Sequence, residues 1–453
     1  MFFQSFKVPG LGCYSYLIGC PGAGRAMVVD PERHIEQYLR VAADNAMTIT
    51  HVFDTHLHAD HISGALELAT VAKATLCLHR DHPASYPHHR LSNEEQFDFG
   101  VASARVLDTP GHTPNSFSLL LSDHSRGEEP MGILTGDLLF VGDVGRPDLA
   151  GADLLDAQIR NLYDSLYITL GELPDYLEVF PSHGAGSLCG KGISAKPTSV
   201  LGFERRTNPL LAGMSFEDFH ATMAEGFAPR PPGFIHIVET NTSGPAPLSA
   251  ITPPDILSPR ELQTQANDDI TLIDVRDAVS FGGGHIPGSL NLGMGSNMAS
   301  FLGMIADPDS RVVVIADTQG DADEAIRQFR RVGFDTICGI YTAGISAWVM
   351  AGGETAQLTQ LDAPTLRDIL DAFADHVLLD VRTLTEWDAG HIDRATHLPL
   401  NQLTATELEW PAETDITVVC HSGYRANLAA SELLRQGYQN VYCLLGGMTA
   451  WDA

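Results

Sequence analysis

Basic residues are scarce in this chain: 27 lysines and arginines stand against 57 aspartates and glutamates, for a formal net charge of −30. A surface of that sign repels phosphate backbones and anionic lipid, so nucleic acid and membrane are excluded as expected partners. No run of about 18 apolar residues occurs, and no transmembrane helix is expected. The opening Met1-Phe2-Phe3-Gln4-Ser5-Phe6-Lys7 has neither a basic region nor the apolar stretch of a secretory signal. Cysteines are few and unpatterned: Cys13, Cys20, Cys77, Cys189, Cys338, Cys420 and Cys443. The odd count and the absence of any C-x-x-C pair argue against a disulfide framework and for a reducing cytoplasm.

What is present is glycine, 42 residues of it in short clusters, as an α/β protein with many strand-to-helix turns requires. At 453 residues the chain has room for two to four domains. A Pro/Ser/Thr-rich stretch at 241–254 reads as a linker, and Ala351-Gly-Gly-Glu-Thr-Ala-Gln357 as a weaker break. Beyond the linker four landmarks occur twice in the same order. Leu272-Ile-Asp-Val-Arg276, Gly284-His-Ile286, Val312-Val-Val-Ile315 and Ala343-Gly-Ile-Ser-Ala-Trp348 return as Leu379-Asp-Val-Arg382, Gly390-His-Ile392, Thr417-Val-Val419 and Gly446-Gly-Met-Thr-Ala-Trp451. The C-terminal half is therefore a tandem duplication, and its alternation of β-branched runs with helical patterns predicts parallel sheets covered by helices. The N-terminal half predicts a mixed α/β layer structure, with a helix over about 157–170 carrying Ile159, Leu162, Tyr163, Leu166 and Leu170 on one stripe.

The densest chemistry is Thr55-His56-Leu57-His58-Ala59-Asp60-His61, with a helix expected to begin at about Asp60. His112, Asp137 and His183 follow, each at the end of a strand-like run. Five imidazoles and two carboxylates so placed suit one or two first-row metal ions. This order of H-x-H-x-D-H, G-H-T, G-D and S-H resembles the metallo-β-lactamase superfamily, which implies an αββα sandwich over residues 1–245. Within it, glyoxalase II-type thioesterases keep these ligands around two zinc ions and persulfide dioxygenases around one iron. The stretch Gly136-Asp-Leu-Leu-Phe-Val-Gly-Asp-Val-Gly-Arg-Pro-Asp-Leu149 is similar to the dioxygenases, with Arg146 and Asp148 at their hallmark positions. That resemblance implies one Fe(II) per chain on His56, His112 and Asp137. His58, Asp60, His61 and His183 would orient ligands by hydrogen bonding, or hold metal in the dizinc alternative. Cys189, Arg146, Asp148, Lys191 and Arg205 are candidate substrate contacts.

Cys420-His-Ser-Gly-Tyr-Arg425 lies between an apolar run and a helix, with Ala426, Ala429, Ala430, Leu433 and Leu434 at helical spacing and Gly437 as the stop. Backbone N–H groups at such a helix start stabilise a thiolate or persulfide. The loop resembles that of rhodanese-type sulfurtransferases, which implies Cys420 as persulfide carrier and Arg425 as anion binder. Residues 357–453 are thus expected to form an active rhodanese domain. In residues 246–356, aligning Asp317 with Cys420 and Ala322 with Arg425 leaves a repeat without the catalytic cysteine. Cys338 and Cys443 read as matching structural positions. The resemblances together imply thiol persulfide, O2, sulfite and thiosulfate as small-molecule partners, and allow a dimer or tetramer.

Overall fold

In the computed structural model, residues 1–8, 10–225, 227, 230–265, 269–295 and 297–453 are described. The chain divides into two compact units, residues 1–230 with 234–250, and residues 231–233 with 251–453.

The first unit is two six-stranded mixed sheets face to face. One runs Phe2–Lys7, Tyr14–Cys20, Arg25–Val29, Thr48–Phe53, Thr75–His79, His89–Leu91, antiparallel over its first three strands and parallel thereafter. The other runs Ser199–Val200, Glu178–Pro181, Pro130–Gly136, Phe117–Asp123, Ala102–Asp108, Gln96–Asp98. Side chains alternate across a strand, and here both faces are covered. Tyr14, Tyr16 and Ile18 enter the core between the sheets, with Phe53, Phe117, Leu119 and Phe180, while Leu17 joins an outer core under the helices Glu36–Asp44 and Ala65–Ala72. A second outer core lies under Leu155–Asp164 and Phe216–Ala224. The layers are therefore helix, sheet, sheet, helix.

The helix expected at 157–170 spans Leu155–Asp164 and then widens into a π-helical turn, Ser165–Thr169; Ile159, Leu162, Leu166 and Leu170 are all buried. Two expectations need correction. The helix after the histidine motif begins at Ala65, so Asp60 and His61 sit in irregular chain. The linker reading fails at its start, because the helix Gly233–Ser243 runs into it and Asn241 is buried.

The second unit holds two five-stranded parallel sheets of one topology. Asp255–Ile256, Ile337–Tyr341, Arg311–Ile315, Ile270–Asp274, Leu290–Asn291 is matched by Thr359–Leu361, Asn440–Leu444, Asp415–Val419, Val377–Asp380, Thr396–His397. The duplication extends to side chains. Arg276 donates to Asp274 at 2.6 Å and Arg382 to Asp380 at 2.7 Å. Phe281 stacks on His285 and Trp387 on His391, with ring centroids 3.8 and 3.6 Å apart.

Strand register corrects the loop alignment by one residue. Asp274 pairs with Ile315 and Asp380 with Val419, so Ala316, not Asp317, stands opposite Cys420, and Asp321 opposite Arg425. The first repeat still lacks a thiol there, and it also reverses the loop's charge. Cys443 is fully buried, whereas Cys338 is half-buried at a register shift, so the two are not equivalent.

Candidate metal centre and thiol loop

Four strands of the first unit release their chains at one end of the sandwich, and each release carries a candidate ligand. His56 and His58 follow Thr48–Phe53, His112 follows Ala102–Asp108, Asp137 follows Pro130–Gly136, and His183 follows Glu178–Pro181. All are buried.

Within that cluster His56, His112 and Asp137 form a group of their own, their donor atoms all within 4.8 Å of one another. Asp137 Oδ2 lies 3.7 Å from His56 Nε2 and 3.4 Å from His112 Nε2 and has no hydrogen-bond partner. A buried carboxylate oxygen without a donor is costly unless a cation takes its lone pairs. The three atoms are spaced as donors about 2.0–2.2 Å from one ion would be, so the residues fit a metal. Their other atoms are tied down: His56 Nδ1 to Thr55 Oγ1 at 2.9 Å, His112 Nδ1 to the Arg146 carbonyl at 2.8 Å, and Asp137 Oδ1 to His183 Nδ1 at 2.6 Å. Such contacts hold a metal-binding imidazole in the tautomer with Nε2 free. Burial alone would raise the Asp137 carboxyl, but the neighbouring His183 and His56 hold it well below the usual carboxylate range.

His58 stands apart. Its ring lies 4.3 Å from that of His56, yet its Nε2 faces Asp30 at 3.3 Å and Asp54 at 3.7 Å. Burial opposes ionisation of Asp30, and His58 outweighs it, lowering that carboxyl to about 2. Asp60, His61 and His183 gather instead around a residue with no motif to announce it, Cys13. Its Sγ is 3.5 Å from Asp60, 3.8 Å from His61 and 3.2 Å from His183. Cys13 arrives because the chain before Tyr14–Cys20 bridges to the loop after Glu178–Pro181: Tyr14 N–H donates to the Ser182 carbonyl and Gly184 N–H to that of Gly12. Asn241, taken from sequence as linker, donates its side-chain amide to the carbonyls of His58 and His61, both at 2.9 Å.

The substrate candidates fare unequally. Cys189 is buried beside Asp137 and His183, and burial together with the Asp137 charge pushes its thiol well above the ordinary value. Arg146 is buried and grips Asp148 through two hydrogen bonds of 2.6 and 2.7 Å. Arg205 is likewise committed, to Asp175 and the carbonyls of Leu170 and Leu173. Lys191 is exposed, donates to the Glu225 carbonyl at 3.0 Å and lies over the Phe227 ring.

In the second unit, Gly423 adopts φ +93° and opens the helix Tyr424–Arg435. This turns the N–H groups of Gly423 and Ala426 onto Cys420 Sγ at 3.2 and 3.3 Å. Arg425 pairs with Glu386 through two bonds of 2.7 and 2.6 Å, and Glu386 is itself held in a capping box with Thr383. All seven cysteines are free. Among the described residues no helix is long and apolar enough to cross a membrane.

Comparison with known proteins matches this architecture. Residues 8–183 match the metallo-beta-lactamase superfamily, and residues 258–351 and 362–453 each match the rhodanese-like domain. A metallo-beta-lactamase structure from Staphylococcus aureus subsp. aureus COL is 31% identical with a TM-score of 0.68, the match covering 75% of this chain and 98% of that one. The chain belongs to the metallo-beta-lactamase superfamily and carries two rhodanese-like domains after its lactamase-type domain. Among curated relatives, the mitochondrial persulfide dioxygenase ETHE1 of Bos taurus is 25% identical over 50% of this chain and 82% of its own length. A hydroxyacylglutathione hydrolase of Dictyostelium discoideum is 30% identical over 38% of this chain, which spans 61% of that relative's length. Both an oxygenase and a hydrolase thus lie among its relatives.

Proposed function

We propose that this chain is a persulfide dioxygenase joined to a sulfurtransferase, with residues 1–245 as the oxygenase, 246–356 as a repeat without sulfur chemistry and 357–453 as the sulfur carrier. The observation that carries the reading is the separation of His56, His112 and Asp137 from His58, on a chain that also holds the Cys420 thiol nest. Two imidazoles and one carboxylate are the donor set of non-haem Fe(II) oxygenases and leave positions open. When bound, iron supplies the electron transfer between a persulfide sulfur and dioxygen that an amino-acid side chain cannot.

The chain's own residues prepare that site. Thr55 and Arg146 orient the two imidazoles, His183 fixes Asp137, and burial keeps competing water out. In the overall reaction a thiol persulfide, dioxygen and water give thiol, sulfite and two protons; the terminal sulfur loses four electrons, which dioxygen takes up. Cys420 thiolate attacks the terminal sulfur of a second persulfide such as glutathione persulfide, releasing thiol. Sulfite then takes that sulfur from Cys420 as thiosulfate and restores the thiolate. The reverse flow, from thiosulfate to thiol persulfide, uses the same residues.

A second reading, a dizinc thioesterase, draws on the gathering of Asp60, His61 and His183 beside Asp137 and on the hydrolase relative. Oxygen uptake by iron-loaded protein given glutathione persulfide, with sulfite and thiosulfate measured, separates them. The dioxygenase requires rapid uptake that His112→Ala abolishes. No uptake, with two zinc ions bound and hydrolysis of S-lactoylglutathione, would select the thioesterase.

A further inference from the structure

The repeat whose loop lacks a thiol keeps much of the structure of its partner, including the Asp274–Arg276 pair and the Phe281–His285 stack. Its Asn291 side chain donates to the carbonyls of Asp274 and Arg276 at 3.1 and 3.0 Å, which braces the chain leaving strand Leu290–Asn291. That braced segment grips the other repeat. Asn291 N–H donates to Ser431 Oγ at 2.9 Å, on the helix that follows the Cys420 loop. The Gly293 carbonyl accepts from the Tyr424 hydroxyl at 2.5 Å. The Tyr424 ring lies 5.6 Å from that of Phe301, and a Cβ on Gly295 would come within 3.1 Å of it.

Tyr424 is the first residue of its helix, directly after Gly423, whose N–H points at Cys420 Sγ. Two residues on, Ala426 supplies the other N–H. On the far side, Asn427 holds the Gly423 carbonyl at 2.9 Å and is itself held by Gln360. The nest is therefore fixed by its own repeat at Asn427 and by the other repeat at Tyr424 and Ser431. Burial raises the Tyr424 phenol above the ordinary tyrosine value, which keeps its hydroxyl proton in place to donate.

We infer that the first repeat, which lacks the loop cysteine, serves as a positioning frame for the sulfur-carrier loop, acting through the hydrogen bond from Tyr424 to the Gly293 carbonyl. Tyr424 is a positioning residue: it aims the N–H groups of Gly423 and Ala426 at the sulfur. A nest held in aim stabilises the Cys420 anion, and a nest free to tilt loses part of that stabilisation. The inference rests on Cys420 being the sulfur carrier.

Two variants test it in the full-length chain. Tyr424→Phe keeps the ring against Phe301 and removes only the donor. Gly295→Ala leaves the loop's own sequence intact and presses on the Tyr424 ring from the other repeat. The readouts are the pH profile of Cys420 alkylation, followed by mass spectrometry of its peptide, and steady-state sulfur transfer from thiosulfate to cyanide. Tyr424→Phe is expected to move the alkylation midpoint to higher pH and lower kcat about tenfold with KM little changed, the loss that one hydrogen bond of ordinary net strength accounts for. Gly295→Ala shifts both readouts the same way, and neither variant alters the thermal transition of the lactamase-type domain. Wild-type profiles in both variants would overturn the inference. Wild-type protein that transfers no sulfur refutes instead the carrier role of Cys420, and the alkylation profile still reports on the frame.

Discussion

Replacing Asp148 with asparagine tests whether Arg146 serves the metal centre or the substrate. The Arg146 side chain is 4% exposed and that of Asp148 25%, and two charge-assisted bonds join them. Only Pro147 separates this pair in the chain, and the Arg146 carbonyl is the acceptor that orients His112. Removing one member of a buried pair costs about 3–5 kcal/mol. Partial exposure of Asp148, and the acceptor that asparagine retains, reduce this to about 2–3 kcal/mol. In a domain of this size that lowers the midpoint of thermal unfolding by about 4–12 °C. Loosening the residue that orients a metal-binding imidazole weakens metal binding about 10- to 100-fold. Calorimetry of the metal-free protein and chelator competition for iron measure the two effects separately. Unchanged stability and iron affinity, with only a raised KM for persulfide, would refute the reasoning and make Arg146 the substrate clamp its sequence position suggested.

Three further outcomes are expected. Burial would raise the Glu386 carboxyl, but Arg425 outweighs it and holds the group at about 2 against an ordinary 4.5. A depressed carboxylate contributes stability that is complete above the ordinary value and is lost as pH falls through the depressed one. Urea titrations at about pH 6 and pH 3 should therefore show a loss in the wild-type chain that Glu386→Gln reduces; equal pH dependence in both would count against the ion pair. Ala316→Cys is expected to give no second carrier, because Asp321 occupies the place of Arg425; sulfur transfer persisting in an Ala316→Cys, Cys420→Ser chain would contradict this. Gly145→Ala places a Cβ 1.9 Å from the Asp137 carbonyl oxygen and 3.0 Å from His112 Nδ1. It should cost about 1–3 kcal/mol and weaken iron binding, and unaltered iron affinity by chelator competition would show that the loop yields harmlessly.

Local patterns carried much of this protein, and their failures are instructive. The ligand motifs are short, and each follows a strand, so both their residues and the end of the sandwich they occupy follow from spacing. The repeat was readable because its landmarks are core and turn residues whose types the fold constrains. Its loop alignment slipped by one residue because no residue type marks the last rung of a parallel ladder. Asn241 was misread since a helix end and a linker share a polar composition.

Sequence alone determined the division into a histidine-rich α/β domain and two related parallel-sheet domains, the ligand candidates and the thiol loop, all of which are encoded within short stretches. Tertiary structure decided which candidates act together. Cys13 meets His183 across 170 residues, and Asn241 holds the histidine loop across 183. His58 Nε2 faces Asp30, and Arg146 closes on Asp148. The reason is physical: a side chain's partner is set by where distant strands end once the two cores have packed, and no local pattern of residue types records that distance.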